Sequence, residues 1–184
     1  MVAEPTASAV ESWQIDPGHA LVEFSGKHMM FTTVKGRFQG VQGGVVWNES
    51  DPAASKVVAE IDATSLVSGS NDRDNHLKSA DFLDVEQYPT IRFESVRVVP
   101  EGADRARVVG NLTIKDVTRP VELDVRLTGR GRSPWGKEVA GFAATTSINR
   151  KDWGLTWNVA LEAGGWLVGD RIDISLDFEA VKQG

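Results

Sequence analysis

Cysteine is absent from this 184-residue chain, which excludes disulfide bonds and any chemistry that needs a thiolate. Long apolar runs are also missing, since no stretch approaches the roughly 18 to 20 residues that a membrane-spanning helix needs. Lys and Arg number 20 against 26 Asp and Glu, which gives a formal net charge of -6. Because a nucleic-acid-binding surface needs clustered cations, this balance argues against nucleic acid as a partner.

The amino terminus carries little of what a secretory signal needs. Met1 to Ser12 contains Glu4 and Glu11 but neither a basic residue nor an apolar core segment. The expected location is therefore the cytoplasm, although the mature form of an exported protein would look similar. We predict a flexible segment over residues 1–12 and a single domain over residues 13–184, a length that suffices for one well-buried unit.

The chain is rich in segments where apolar and polar residues alternate, the pattern of a strand with one buried face. Alternation holds from Leu21 to Lys27, stops at the bulky run His28–Phe31, and resumes from Val34 to Val41. A half-buried strand cannot bury four bulky neighbours, so we predict a turn whose side chains form a lid over something apolar. Upstream, Pro17-Gly18 predicts a tight turn after a short opening strand.

Six further segments show the same alternation, and together these strands predict an antiparallel barrel or sandwich. We favour a closed barrel because closure removes exposed strand edges. An eight-stranded barrel is either filled by its own side chains or just able to hold one small ligand. The six segments are Val57–Asp62, Thr90–Ser95, Arg105–Ile114, Val121–Leu127, Glu138–Ile148 and Ile172–Ala180. The stretches Lys115–Pro120 and Gly129–Lys137 are read as connections between them.

One region predicts a helix instead. Ser70 is a suitable N-cap, and Asp72 and Asp74 lie in the first turn, where the helix dipole favours acids. This helix is expected to run toward Ser79. A second short helical turn is expected within residues 80–88, before Pro89.

The motifs that could carry chemistry are weak. Gly131 to Lys137 has P-loop spacing, but Glu138 replaces the metal-binding Ser or Thr and a strand follows. Asp72, Asp74 and His76 begin like an EF-hand loop that lacks its glycine and its final acid, so helix capping explains these acids better. The three histidines form no paired metal motif, and no nucleophile elbow is present. We therefore predict no catalytic residue, no metal site and no cofactor.

Two polar residues have alternative roles. His28, beside Met29, Met30 and Phe31, either satisfies a backbone carbonyl, the favoured role, or bonds the polar end of a ligand. Arg150 either anchors its own segment through carboxylate or carbonyl partners, again the favoured role, or contacts a headgroup.

Taken together, these segments resemble the YceI-like family of lipocalin-like proteins that bind polyisoprenoids and other long amphiphilic lipids. The similarity extends from Trp13 to Val181, and it rests on the order and spacing of many short motifs. These are Trp13–Asp16 with His19, Phe24–His28, Val34–Phe38, Arg73–Ser79, Asp81-Phe82, Tyr88-Pro89, Phe93–Ser95, Gly110–Ile114, Val117-Thr118 and Ile148–Arg150.

The resemblance implies an all-β fold with a small helical insertion, an eight-stranded antiparallel lipocalin-like barrel, and an apolar tunnel that holds an isoprenoid or fatty chain. It also implies that a homodimer can form. The function expected is non-catalytic carriage or storage of a long-chain lipid, such as a polyisoprenoid, an isoprenoid quinone or a fatty-acid-like molecule.

Two alternatives stay open: an enzyme that acts on such a lipid through His28 or through Asp72 and Asp74, and a packed-core interaction module. For the carrier, barrel-facing apolar residues would line the tunnel and His28 or Arg150 would meet the polar end of the lipid. The residues expected to bind the ligand are Val22, Phe24, His28, Phe31, Phe38, Ile91, Phe93, Leu112, Phe142, Ile148, Arg150, Trp153 and Phe178.

Overall fold

A computed structural model describes residues 10–184, which form one antiparallel sheet closed into a barrel, together with an eight-residue helix and several loops outside the sheet. The helix α1 spans Asn71–Lys78, and short 3-10 segments lie at Pro52–Ala54, Ala63–Ser65 and Arg150–Trp153. The strands are β1 (Val10–His28), β2 (Thr32–Phe38), β3 (Val41–Asn48), β4 (Lys56–Asp62), β5 (Thr90–Pro100), β6 (Arg105–Ile114), β7 (Val117–Arg132), β8 (Glu138–Asn149) and β9 (Arg171–Lys182).

The long strand β1 closes the barrel. Along one edge it pairs with β9, from Trp13 opposite Lys182 to Ser25 opposite Asp173. Along its other edge it pairs first with β3 and then, beyond Leu21, with β2. Strands β2 and β3 follow one another along that edge, so they act as one strand broken at residues 39–40. The barrel is therefore eight-stranded, as predicted, and closure removes the open edges that would otherwise invite aggregation.

The opening of the barrel differs from the prediction in two ways. Pro17-Gly18 does not end a strand. It lies in a bulge within β1, between Ile15, which pairs with Ala180, and Ala20, which pairs with Phe178. In addition, β1 begins at Val10, so the barrel includes three residues of the predicted N-terminal segment, and the rest of that segment lies outside the described residues.

The bulky run after β1 is a turn, as predicted, but the expectation that it forms a lid is wrong. Met29 and Met30 have φ values of 51° and 74°, which reverse the chain between β1 and β2. Their side chains are exposed, and Phe31 keeps 73% of its surface in solvent. The run lies at the tip of a hairpin outside the cavity lining, and its Met30 side chain lies over Gly165 of the segment after β8.

The predicted helix is confirmed, and its cap is the residue expected. The Ser70 hydroxyl accepts a hydrogen bond from the Arg73 amide, and Asp74 is buried against the Ser68 hydroxyl, which donates to it. The second helical element is a single turn before Pro89, in which the Tyr88 amide donates to the Asp84 carbonyl at 2.8 Å. It does not extend further back, because Asp84 takes a left-handed φ of 49° that interrupts helical backbone.

Two connections are shorter than predicted. Lys115 and Asp116 alone form the turn between β6 and β7, with Lys115 at φ 59°, and β7 begins at Val117. At its far end β7 continues to Arg132, so only Ser133–Lys137 remains as the loop before β8.

The inward faces of the strands form two clusters of buried apolar side chains, a large one along most of the barrel and a smaller one around Trp13, Val45, Ala140 and Ala180. Close backbone approach places some of these side chains. The ring of Phe24 lies over Gly36 of β2, where a Cβ atom would lie 2.3 Å from the ring, so only glycine fits. Among the described residues, no helix has the length and apolar character needed to cross a bilayer.

Candidate ligand-binding cavity

A cavity of about 350 Å³ lies inside the barrel, lined by side chains from every strand and almost entirely by apolar ones. Pockets that hold small ligands run from about 300 to 1,000 Å³, so this volume is at the lower end of that range. Empty space of this size in a protein interior is unusual, because side chains normally pack as densely as in organic crystals. The cavity therefore argues against a solid core, and it suits a slender apolar ligand.

Most of the residues predicted to bind a ligand line this cavity. They come from six different strands and from the segment that follows β8, and they converge only because the sheet closes. Contact with a ligand stays a prediction for each of them. The lining residues from the predicted set are Val22, Phe24, Phe38, Ile91, Phe93, Leu112, Phe142, Ile148, Arg150 and Phe178.

Three predicted residues lie elsewhere. His28 is exposed at the end of β1, where it pairs with Thr32, and Phe31 projects into solvent from the turn. Trp153 is buried in the core, and its indole N–H donates to the carbonyl oxygen of Leu112 at 2.9 Å. The alternation of apolar and polar residues shows neither that a strand end is exposed nor that a side chain bonds to the backbone. These residues were therefore predicted to lie in the cavity wall.

Sequence reasoning also missed part of the wall. The inward residues of β3 and β7 share the alternation that identified the others, so the same signal could have found them. The contribution of the helical insertion could not be found this way, because it depends on how the insertion folds over the barrel. These additional lining residues are Val41, Val45, Trp47, Val121, Leu123, Val125, Leu77, Phe82 and Leu83.

Arg150 closes the end of the cavity beside α1. Its side chain is only 2% exposed, and four of its N–H groups donate to backbone carbonyls of the segment after β8. The acceptors are the oxygens of Leu155, Trp157, Val168 and Gly169, at 2.6 to 3.3 Å. Burial lowers the pKa of Arg150 from its ordinary value, and the Asp170 carboxylate 3.8 Å away opposes that shift. Since most donors are already used, the geometry favours the anchoring role over a headgroup contact.

The opposite end of the barrel is narrowed by a cation held over two indole rings. The Arg130 guanidinium carbon lies 5.1 Å from the ring centres of both Trp13 and Trp47. Glu11 accepts a hydrogen bond from Arg130 at 3.2 Å and another from Lys182 at 2.7 Å. Trp47 lines the cavity, so this cluster forms part of its boundary.

The same cluster predicts a pH dependence of stability. The Lys182 hydrogen bond holds the pKa of Glu11 below its ordinary value, with the Arg130 charge acting in the same direction. A depressed carboxyl pKa contributes stability that is present above the unfolded-state pKa and lost as pH falls through the folded-state pKa. The free energy of unfolding of Glu11→Gln should therefore be below that of the wild type at neutral pH, and the difference should shrink in acid. Urea unfolding across acidic to neutral pH measures this, and a difference independent of pH would contradict it.

The cavity reaches the surface beside the loop between β5 and β6. Pro100 and the run from Gly102 to Arg105 both line the cavity and are exposed. Polar groups also appear here, from Ser55, Asp104 and Arg105. An amphiphile whose chain lies in the cavity could place its polar end at this opening.

One group of side chains outside the cavity has the composition of a metal site. Ligand atoms of Asp16, His19 and Glu179 lie within 4.8 Å of one another on the outer wall. His19 Nδ1 and Asp16 Oδ2 are already hydrogen-bonded at 2.8 Å, and this bond raises the pKa of His19. The exposed pair satisfies itself, and none of the three residues contributes to the cavity lining.

Comparison with known proteins gives consistent results. The family model described as a YceI-like domain matches residues 13–180. A UPF0312 protein of Pseudomonas putida strain W619 is 37% identical over 165 residues, covering 90% of this chain and 82% of the relative. A UPF0312 protein of Serratia proteamaculans is 43% identical over 138 residues, covering 75% of this chain and 71% of the relative.

Solved structures share the fold. A YceI protein of Campylobacter jejuni superimposes with a TM-score of 0.71 at 26% identity, covering 86% of this chain and 90% of that one. BcnA of Burkholderia cenocepacia gives a TM-score of 0.76 at 22% identity, covering 90% and 98%. A polyisoprenoid-binding domain from Saccharophagus degradans, implicated in plant cell wall breakdown, gives 0.67 at 14% identity, covering 95% and 100%.

Proposed function

Because this chain belongs to the YceI-like family, we propose that its cavity binds the apolar chain of an amphiphilic lipid and that the protein carries or stores that lipid. The observation that carries this proposal is the apolar cavity of about 350 Å³ inside the barrel. The ligand classes that fit are polyisoprenoids, isoprenoid quinones and fatty-acid-like molecules. The polyisoprenoid-binding domain that shares this fold supports the first of these.

The binding free energy of an apolar chain increases with the length of chain that the cavity encloses. Each CH₂ group removed from water contributes about 0.8 kcal/mol, so a chain can bind firmly with few polar contacts. A volume near the lower end for ligand pockets limits how much of a long chain is enclosed, and the remainder would extend through the opening beside Gly102–Arg105.

We propose a binding protein rather than an enzyme. The charged residues of the cavity wall are Asp104 and Arg105 at its opening and Arg150 at its closed end, and Arg150 is engaged with backbone carbonyls. Catalysis by proton transfer needs an acid or base within hydrogen-bonding reach of the substrate. His28 is exposed on a hairpin, and Asp74 is engaged with Ser68, so neither suits that role. A cytoplasmic location stays a prediction.

The proposal is tested by native mass spectrometry after gentle purification, followed by organic extraction of the same sample. We expect a mass excess over the 184-residue chain that disappears on extraction and returns when the extract is added back. The same spectra report whether the protein is a monomer or the predicted homodimer. Empty protein that also takes up no isoprenoid or fatty chain on incubation would overturn the carrier proposal.

A further inference from the structure

The hairpin formed by the end of β7 and the start of β8 combines an exposed tryptophan with a concentration of positive charge. From Arg126 to Lys137 the chain contains four cations and no carboxylate, although the whole protein has a net charge of -6. Trp135, at the tip, is 85% exposed. Single exposed apolar residues are common, but one placed in a cationic stretch of an acidic protein is not explained by chance exposure alone.

The geometry of the turn explains the residues on either side of Trp135 but not the tryptophan itself. The Gly136 amide donates to the Ser133 carbonyl at 2.9 Å, and the Ser133 amide donates to the Lys137 carbonyl at 2.8 Å. Pro134 suits the first central position, and Gly136 takes the left-handed φ of 80° that the turn requires. The remaining position accepts almost any residue, and an indole exposed there contributes little to the fold.

The charges of the hairpin divide into two groups. Arg130 points back to the barrel, where it lies over two indole rings and pairs with Glu11, Glu49 and Glu138. Within the described chain, Arg126, Arg132 and Lys137 form no ion pair, and Asp16 is close enough to feel the charge of Lys137 without bonding it. The hairpin is thus fixed to the barrel by one cation and displays the other three.

The hairpin also lies at the end of the barrel where the cavity opens. Arg126 pairs with Arg105 across the sheet, and the Leu127 amide donates to the Asp104 carbonyl at 2.8 Å. Leu127, Asp104 and Arg105 all line the cavity. The base of the hairpin therefore adjoins the opening through which a lipid chain would pass, and its tip extends from the same end of the barrel.

We propose that this hairpin docks the protein on an anionic lipid bilayer, with Trp135 in the interfacial region and the tip cations Arg132 and Lys137 facing the headgroups. Tryptophan prefers the boundary between headgroups and hydrocarbon, and cations near an anionic leaflet are attracted to it over about a Debye length. The tip cations are complementary in charge to an anionic leaflet, and a convex tip with a single exposed indole suits a deformable interface better than the pocket of a protein partner. Docking would bring the cavity to the bilayer that contains its lipid, so this inference rests on the proposed function.

Co-sedimentation of the full chain with vesicles tests the proposal. We expect binding to vesicles of phosphatidylcholine mixed with phosphatidylglycerol, little binding to phosphatidylcholine alone, and loss of binding as salt rises from about 0.1 M to about 1 M. The double variant Arg132→Gln, Lys137→Gln should partition roughly thirtyfold less. Trp135→Ser should weaken binding by about tenfold or more.

Phe31→Ser provides the matched control, because Phe31 is also largely exposed to solvent at a turn but lies at the opposite end of the barrel. It should bind vesicles as the wild type does. Absence of binding to the anionic vesicles, or an equal loss in Phe31→Ser and Trp135→Ser, would overturn the proposal. So would self-association of the wild type that Trp135→Ser abolishes without any vesicle binding, because the tip would then contact a second copy.

Failure of docking can be distinguished from failure of lipid binding. Extracted lipid per protein reports the cavity and should be unchanged in Trp135→Ser, which does not line it. An empty cavity in a protein that still binds anionic vesicles through Trp135 would overturn the carrier proposal alone.

Discussion

Replacing Arg150 with methionine is expected to lower the free energy of unfolding by about 3 to 5 kcal/mol. The substitution keeps much of the buried aliphatic volume but removes every donor, so the carbonyls of Leu155, Trp157 and Gly169 lose their side-chain partner together. The Val168 carbonyl loses one of two donors and keeps its hydrogen bond from Asn158. Each buried acceptor left without a donor costs about 1 to 3 kcal/mol, and relaxation of the segment recovers part of the total. Equilibrium unfolding in urea measures the change.

The control for this experiment is Arg171→Met. Arg171 pairs with Asp173 at 2.9 Å but is three-quarters exposed, and exposed pairs of this kind contribute little. Its effect should stay within about 0.5 kcal/mol. If Arg150→Met were as mild as Arg171→Met, Arg150 would not be the anchor of the segment after β8, and a role toward the ligand would regain weight.

Filling the cavity is expected to abolish lipid retention without unfolding the barrel. Ala144 of β8 is buried and lines the cavity, so a phenyl ring in Ala144→Phe would project into space that an apolar chain would otherwise occupy. We expect lipid per protein, measured after organic extraction, to fall by at least about tenfold, because a lost stretch of even two CH₂ groups costs about 1.6 kcal/mol.

The neighbouring alanine supplies a matched control. Ala143 precedes Ala144 in the same strand, but it lies on the other face of the sheet and outside the cavity lining. Ala143→Phe should retain lipid at the wild-type level, and thermal unfolding should show both variants folded. Undiminished lipid in a folded Ala144→Phe protein would mean that the chain binds somewhere other than this cavity.

Most of the fold was predictable from the alternation of apolar and polar residues. A strand with one buried face has a period-two pattern that can be recognised without any tertiary information. The segments Arg105–Ile114 and Glu138–Ile148 correspond to β6 and β8 within one residue at either end. The helix was predictable for a similar reason, since Ser70 and the acids after it are local capping signals. The same reasoning could not show whether the interior is open, because that depends on how the side chains meet across the barrel.

The predictions that failed also involve short segments of the chain. Pro17-Gly18 has the composition of a turn, yet the pairing of β1 with β9 on both sides of it overrides that preference and leaves a bulge. At the other turn, Met29 and Met30 occupy positive-φ positions that usually belong to Asn and Gly. The turn itself was predictable from the break in alternation, but these residue types did not indicate an exposed hairpin tip, and the apolar run was mistaken for a lid. Among the proposed ligand residues, His28, Phe31 and Trp153 lie outside the cavity lining, because side chains at a strand end, in a turn or in a 3-10 segment do not follow period two. Contact with a ligand stays a prediction for them.

The bulge in β1 determines which side chains the ligand would meet in the far half of the barrel. Between Ile15 and Ala20 the strand makes an excursion that holds an odd number of extra residues relative to β9, so its phase is reversed beyond that point. This reversal is what turns Val22 and Phe24 inward and leaves Glu23 in water. If β1 ran through this stretch as regular strand, unbroken alternation from Ile15 would instead turn Leu21 and Glu23 inward, and a carboxylate would point into the apolar cavity. The excursion on the outer wall therefore keeps a charged side chain out of the ligand's path.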